Sequence, residues 1–169
     1  MPPIFLTAAL LISFAIPAFA GGPAWTTNYA QALTEAKASN KAILLAFTGP
    51  NWCPICLGMQ KAVLHAPVLG SYAEKHLVLV LVDDPYNGPQ SSALKKQNGR
   101  LDQKFNITFV PTFVILDANG KELGRAVDFE AGPADLIKVV RKYYKPPAGT
   151  GDGDADDFDS LFKKPAQGG

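Results

Sequence analysis

The chain has 169 residues, 47% of them hydrophobic and 18% charged, with a formal net charge of +1. That is enough apolar chain for one packed domain plus ends, and the near-neutral charge supplies no electrostatic reason for a nucleic-acid partner. Two cysteines, Cys53 and Cys56, are too few for a disulfide scaffold, and no internal repeat is present.

Met1–Ala20 has no charged side chain and carries a run of thirteen apolar or small residues, Ile4–Ile16. A bilayer span needs about 20. The segment closes on Ala18-Phe19-Ala20, small residues where a signal peptidase cuts, before Gly21-Gly22. It reads as a cleaved secretory signal over residues 1–20, although no basic residue precedes the apolar run. The other reading is an uncleaved N-terminal anchor. Export would place the protein in an oxidising compartment, periplasmic or secreted. Residues 21–145 are the expected domain.

Trp25 reads as a packing anchor. Tyr29, Ala32, Leu33 and Ala36 recur at helical spacing, which predicts a helix over Thr26–Ser39 with Asn40 as its stop. Ala42–Thr48 is continuously apolar, the pattern of a central strand covered on both faces. Gly49-Pro50-Asn51 is a turn. Trp52-Cys53-Pro54-Ile55-Cys56 follows, and a helical pattern runs over Pro54–Leu64.

The two thiols therefore sit where a strand hands over to a helix. Free N–H groups and the helix dipole favour an anion there. The Cys53 thiol is expected to titrate below the free value of about 8.5. Cys56 is close to one turn further on, within reach of a bridge. Pro54 suits the first helical position, where its missing N–H has no partner to lose. The pair reads as a nucleophile, Cys53, and a resolving thiol, Cys56, with Trp52 shielding the bond and forming part of a docking face. Half of a zinc site and a purely structural bridge are the bland readings. Zinc needs about four ligands, and the remaining soft donors, His65 and His76, give a Cys-x2-Cys-x8-His-x10-His spacing that fits no zinc pattern. His65 reads as a solvated residue at the far end of the site helix.

Pro67 is expected to bend or end that helix, with Ser71–His76 as its tail or a connecting turn. Leu77–Asp83 alternates β-branched residues and is the clearest strand. Asp83-Asp84 reads as a loop start, and 85–90 as a turn-rich loop. A short helix over Ser91–Asn98 should stop at Gly99, with a further helical turn at Leu101–Phe105. Thr112–Asp117 and Glu122–Val127 read as a hairpin around Asn119-Gly120, and Ala134–Tyr144 as the last helix. The order α-β-α-β-α-β-β-α predicts an α/β fold with a four-stranded mixed sheet and helices on both faces. Residues 146–169, with five Asp and two Lys, read as a disordered acidic tail. Asp152, Asp154 and Asp156 have calcium-loop spacing, but Asp157 and Lys163 stand where Gly and Glu are needed.

Trp-Cys-x-x-Cys between a strand and a helix, together with Lys104-Phe-Asn-Ile-Thr-Phe-Val-Pro-Thr-Phe-Val-Ile-Leu-Asp-Ala-Asn-Gly-Lys121, resembles the thioredoxin-like superfamily over roughly Thr26–Tyr144. The resemblance implies that Pro111 is cis and faces the Cys-x-x-Cys, and that Val110 offers backbone groups to a substrate. Trp52, Pro54, Val110 and Pro111 are then the expected substrate-binding residues, and Cys53 and Cys56 the catalytic ones. Two departures stand out: Ala46 occupies the position of a buried Asp common in thioredoxins, and Leu57 that of a Lys. The implied activity is thiol–disulfide exchange with exported proteins, by a monomer with a redox partner protein, no metal and no cofactor beyond the Cys53–Cys56 disulfide. The alternatives are a Cu(I)-binding module using the two thiolates and a redox-inert adaptor that kept the fold.

Overall fold

The structure is a computed structural model that describes residues 22–147. The expected leader and the calcium-spaced aspartates lie outside the described residues, as does nearly all of the expected tail. The elements run β1 (Trp25–Thr26), α1 (Tyr29–Ser39), β2 (Ala42–Thr48), α2 (Pro54–Met59), a π-helical turn (Gln60–Leu64), α3 (Pro67–His76), β3 (Leu77–Asp83), α4 (Ser92–Phe105), β4 (Thr112–Leu116), β5 (Glu122–Val127) and α5 (Pro133–Tyr143).

The strand order is β1-β3-β2-β4-β5. β1 and β2 run parallel to β3, β4 is antiparallel to β2, and β5 is antiparallel to β4. Every residue of β2 is buried, which its uninterrupted apolar run requires. Side chains alternate between two cores. Ala42, Leu44 and Ala46 pack with α2, the π turn, α3 and α5. Ile43, Leu45 and Phe47 pack with α1 and α4.

The sheet has five strands where four were expected. Trp25 and Thr26 pair with Leu79 and Val80 at the sheet edge. The Trp25 indole N–H is held by the Leu64 carbonyl at 2.8 Å, and a two-residue strand carries no periodic signal of its own. α1 accordingly starts later than Thr26, where Asn28 caps it by accepting the Gln31 N–H at 3.1 Å.

The helix after the cysteines also differs from the expectation. It widens into the π turn, where the His65 N–H reaches back to the Gln60 carbonyl. Pro67 does not merely end it but begins a new helix from the first helical position. Ser71–His76 is the body of that helix, with Leu69, Tyr72, Ala73 and His76 buried.

Gly99 does not stop α4. Asn98, Leu101 and Phe105 are buried on one face of a continuous helix, and Asn106 closes it in the left-handed region. A glycine costs a helix about 1 kcal/mol, whereas burying Leu101 and Phe105 stabilises by about 1.5–3 kcal/mol each, so tertiary packing outweighs the local break. In the hairpin, Gly120 takes a positive φ of 82°, and the Asp117 carboxylate accepts from Asn119 and Lys121 N–H.

Phe113 of β4 is fully buried and meets Phe129 edge to face at 5.4 Å. Phe113→Ala is expected to lower the unfolding free energy by about 3–5 kcal/mol, read as a lower denaturant midpoint in an equilibrium titration.

Candidate active site

Cys53 is the N-cap of α2, with extended backbone, and its Sγ accepts the Cys56 N–H at 3.1 Å. A capping oxygen normally fills that role. Pro54 takes the first helical position. The two sulfurs are bonded to each other, with Cα atoms 5.2 Å apart. Their environments differ. Cys53 is 6% exposed and Cys56 is 0% exposed, and the Gly49 N–H points at Cys56 Sγ from 3.5 Å. An incoming sulfur can reach only Cys53.

Three segments frame Cys53. The first is the turn that leads out of β2. Its Trp52 lies across Gly49, where even a Cβ would strike the indole ring. The Trp52 N–H donates to the Asp84 carbonyl at 2.7 Å, and Asn51 Oδ1 accepts from the Tyr86 N–H at 3.0 Å. The second segment is therefore the loop after β3, stitched to the first by two hydrogen bonds. It is also held from behind, because Gln90 and the buried Asn98 both donate to the Asp83 carbonyl.

The third segment enters β4. The Val110–Pro111 peptide is cis, and the Val110 carbonyl stands 3.9 Å from Cys53 Sγ. The Thr112 hydroxyl donates to the Phe109 carbonyl at 2.8 Å, and the Phe129 N–H to that of Pro111 at 3.3 Å. These bonds hold the loop against the sulfur.

The structure thus gathers Trp52, Cys53, Pro54, Cys56, Val110 and Pro111 at one end of the sheet. Pro111 itself is buried. The apolar surface around Cys53 is carried by Trp52, Ile55, Leu57 and, most of all, Phe109, which is 64% exposed. Phe109 was not singled out from sequence, although a large apolar residue in a short loop beside Val-Pro was a usable signal. His65 is exposed and His76 is buried elsewhere in the fold.

Ala46 leaves no carboxylate in β2, yet one stands on the neighbouring strand. Thr48 pairs with Asp83 in the β2–β3 register, and the buried Thr48 hydroxyl donates to the Asp83 carboxylate. Thr48 and Asp83 continue the strand alternation on the face that carries α2, and Thr48 precedes the glycine that contacts Cys56. Burial pushes the Asp83 carboxyl above its ordinary value of 3.8, and the Thr48 hydrogen bond opposes that rise. No sequence signal marked this pair, because cross-strand register is not written in either strand alone.

Residues 29–143 match the family of thioredoxin-like domains. The chain is 36% identical over 118 residues to the disulfide bond reductase DsbH of Chlamydia pneumoniae, covering 70% of this chain and 71% of that protein. Against the thioredoxin-related protein DsbJ of the same organism it is 27% identical over 129 residues, covering 72% of this chain and 37% of DsbJ. The solved structure of a DsbH oxidoreductase superposes with a TM-score of 0.69 at 31% identity, over 80% of this chain and 94% of that one. A thioredoxin from Thermus thermophilus shares the fold, with a TM-score of 0.55 at 24% identity.

The raised Asp83 carboxyl makes a prediction about stability. The folded state holds that proton more tightly than the unfolded chain, so this contribution is full below pH 3.8 and is lost as pH rises through the higher folded value. Asp83→Asn is expected to flatten the stability–pH curve in that window, as measured by denaturant midpoints across a pH series.

Proposed function

Because the chain belongs to the thioredoxin-like domain family and is a thiol–disulfide oxidoreductase, we propose that it reduces disulfides of exported proteins, with Cys53 attacking and Cys56 resolving. The observation that carries the assignment of roles is the asymmetry of the pair: Cys53 caps a helix and touches the surface, and Cys56 is sealed beneath it.

In the reduced protein, the Cys56 N–H and the α2 dipole favour the Cys53 thiolate. That thiolate attacks one sulfur of the substrate disulfide. The S–S bond breaks, its electron pair leaves on the far substrate sulfur, and a mixed disulfide with Cys53 forms. Cys56 then gives up its proton and attacks Cys53 Sγ. The second substrate thiol departs, leaving the Cys53–Cys56 bond described above. The substrate gains two electrons and the protein loses two, to be returned by a partner dithiol. The sulfurs alone carry these electrons, so no organic cofactor or metal enters the cycle. The Val110 N–H has no partner among the described residues, so it is free to bond an extended substrate segment beside the sulfur.

The reductive direction has two supports. One is the similarity to a protein named a disulfide bond reductase. The other is chemical: strong oxidants stabilise their reduced form heavily, whereas Pro54 and Ile55 supply no side-chain donor to Cys53 and one backbone N–H serves it. Export rests on residues 1–20 acting as a secretory signal.

Equilibration across glutathione ratios, with thiols trapped and counted, tests the direction. A two-electron transition closer to about −270 mV than to about −120 mV is expected; one at the oxidising end overturns it. The roles have their own test in gel shifts under non-reducing conditions. Cys56→Ser is expected to accumulate a mixed disulfide with substrate, and Cys53→Ser to form none and to fall to the uncatalysed rate.

A further inference from the structure

Beside Cys53 the surface opens into a cleft of about 230 Å³. Trp52, Phe109 and Val110 line it together with Asp84 and Asp102. Val110 belongs to both places, since its carbonyl is 3.9 Å from Cys53 Sγ. The cleft is therefore continuous with the site where a substrate disulfide must lie.

The two carboxylates are uncompensated. Neither has an ion-pair partner among the described residues. The residues three and four positions from Asp102 along the chain are Asn98, Gly99, Phe105 and Asn106, none of them cationic. Burial, and after it the negative charge of Asp84, pushes the Asp102 carboxyl above its ordinary value, as befits two acids facing one space without a counter-ion.

The charge pattern extends around the whole site. The three segments that frame Cys53, residues 47–60, 83–91 and 106–112, contain no Lys, Arg or His. They carry Asp83 and Asp84. The basic residues nearest Asp102 in the chain are Arg100 and Lys104; Lys104 is directed to the Tyr29 ring and the Gly120 carbonyl, and neither forms an ion pair with Asp84 or Asp102 among the described residues.

We propose that this cleft is a specificity subsite for a lysine or arginine side chain flanking the disulfide of the polypeptide substrate. The apolar stem of such a side chain lies along Trp52 and Phe109, and its cationic head reaches Asp84 and Asp102. Opposite charge also steers the encounter and rejects acidic segments by like-charge repulsion. The inference rests on the oxidoreductase reading and names the substrates that reading leaves open.

The test uses the reduced protein and three peptides, each closed by one disulfide and identical except for Lys, Gln or Glu two residues from a cysteine. Bis(2-hydroxyethyl) disulfide, which is uncharged, is run alongside. The expected kcat/KM for the Lys peptide exceeds that for the Glu peptide by about tenfold or more, with Gln between, and the ratio shrinks as salt is added. In the double variant Asp84→Asn, Asp102→Asn the Lys-to-Glu ratio falls toward one, and Asp102→Lys inverts it. Equal rates for the Lys and Glu peptides, with the neutral disulfide reduced, overturn the subsite and leave the oxidoreductase standing. No reduction of the neutral disulfide or of any peptide overturns both.

Discussion

The register of the three central strands is the constraint on which the site depends. β2 and β3 run parallel and end together, with Thr48 opposite Asp83. β4 runs the other way, so it begins where they stop, with Thr112 opposite Phe47. Three loops distant in sequence are thereby delivered to one sheet end. One leads into α2 with Cys53 at its cap, one carries Asp84, and one carries Val110 and Pro111. A slip of one residue in any pairing would turn its side chains to the opposite face and dissolve the constellation. The continuous burial of β2 and the two cores that clamp it hold that register.

Within that frame the loops have little freedom. Trp52 and Asn51 tie the Cys53 turn to the loop after β3, Asn98 fastens the start of that loop to α4, and Gln90 bonds the end of the loop back to its start. The Thr112 hydroxyl closes the turn that presents Val110. The bonds serve chemistry as well as stability, because sulfur-to-sulfur attack needs the reacting atoms aligned before they meet. Cys56 is fully buried, so in the proposed cycle the order of attack follows from burial and not from any intrinsic difference between two cysteines.

The surface around the sulfur combines two properties that rarely coincide on a solvated face. Trp52, Ile55, Leu57 and Phe109 expose large apolar area, which marks a place where another chain docks. The charged residues among them are acids without basic neighbours in the framing segments. Apolar contact supplies affinity with little regard to partner, whereas charge discriminates. A face built of both can hold an extended polypeptide while sorting substrates by sign.

Much of this was already legible in the amino-acid sequence. The uninterrupted apolar runs of β2 and β3 mark buried parallel strands, and Cys53-Pro54-Ile55-Cys56 at a strand-to-helix junction marks a redox pair, because each signal is local and needs no partner segment to be read. The misreadings share one cause. Gly99 is a local helix breaker overruled where Leu101 and Phe105 found burial across the fold, and the helix that Pro67 opens forms because Leu69 and Tyr72 are buried. The short edge strand at Trp25 exists because β3 offers it an edge and Leu64 a carbonyl. The nearness of Asp83 to Thr48, of Asp84 to Asp102 and of Phe109 to Cys53 was decided only in three dimensions. Sequence determines what each segment prefers through period and propensity, while strand register and loop packing set what each side chain meets, and those are properties of segments taken in pairs.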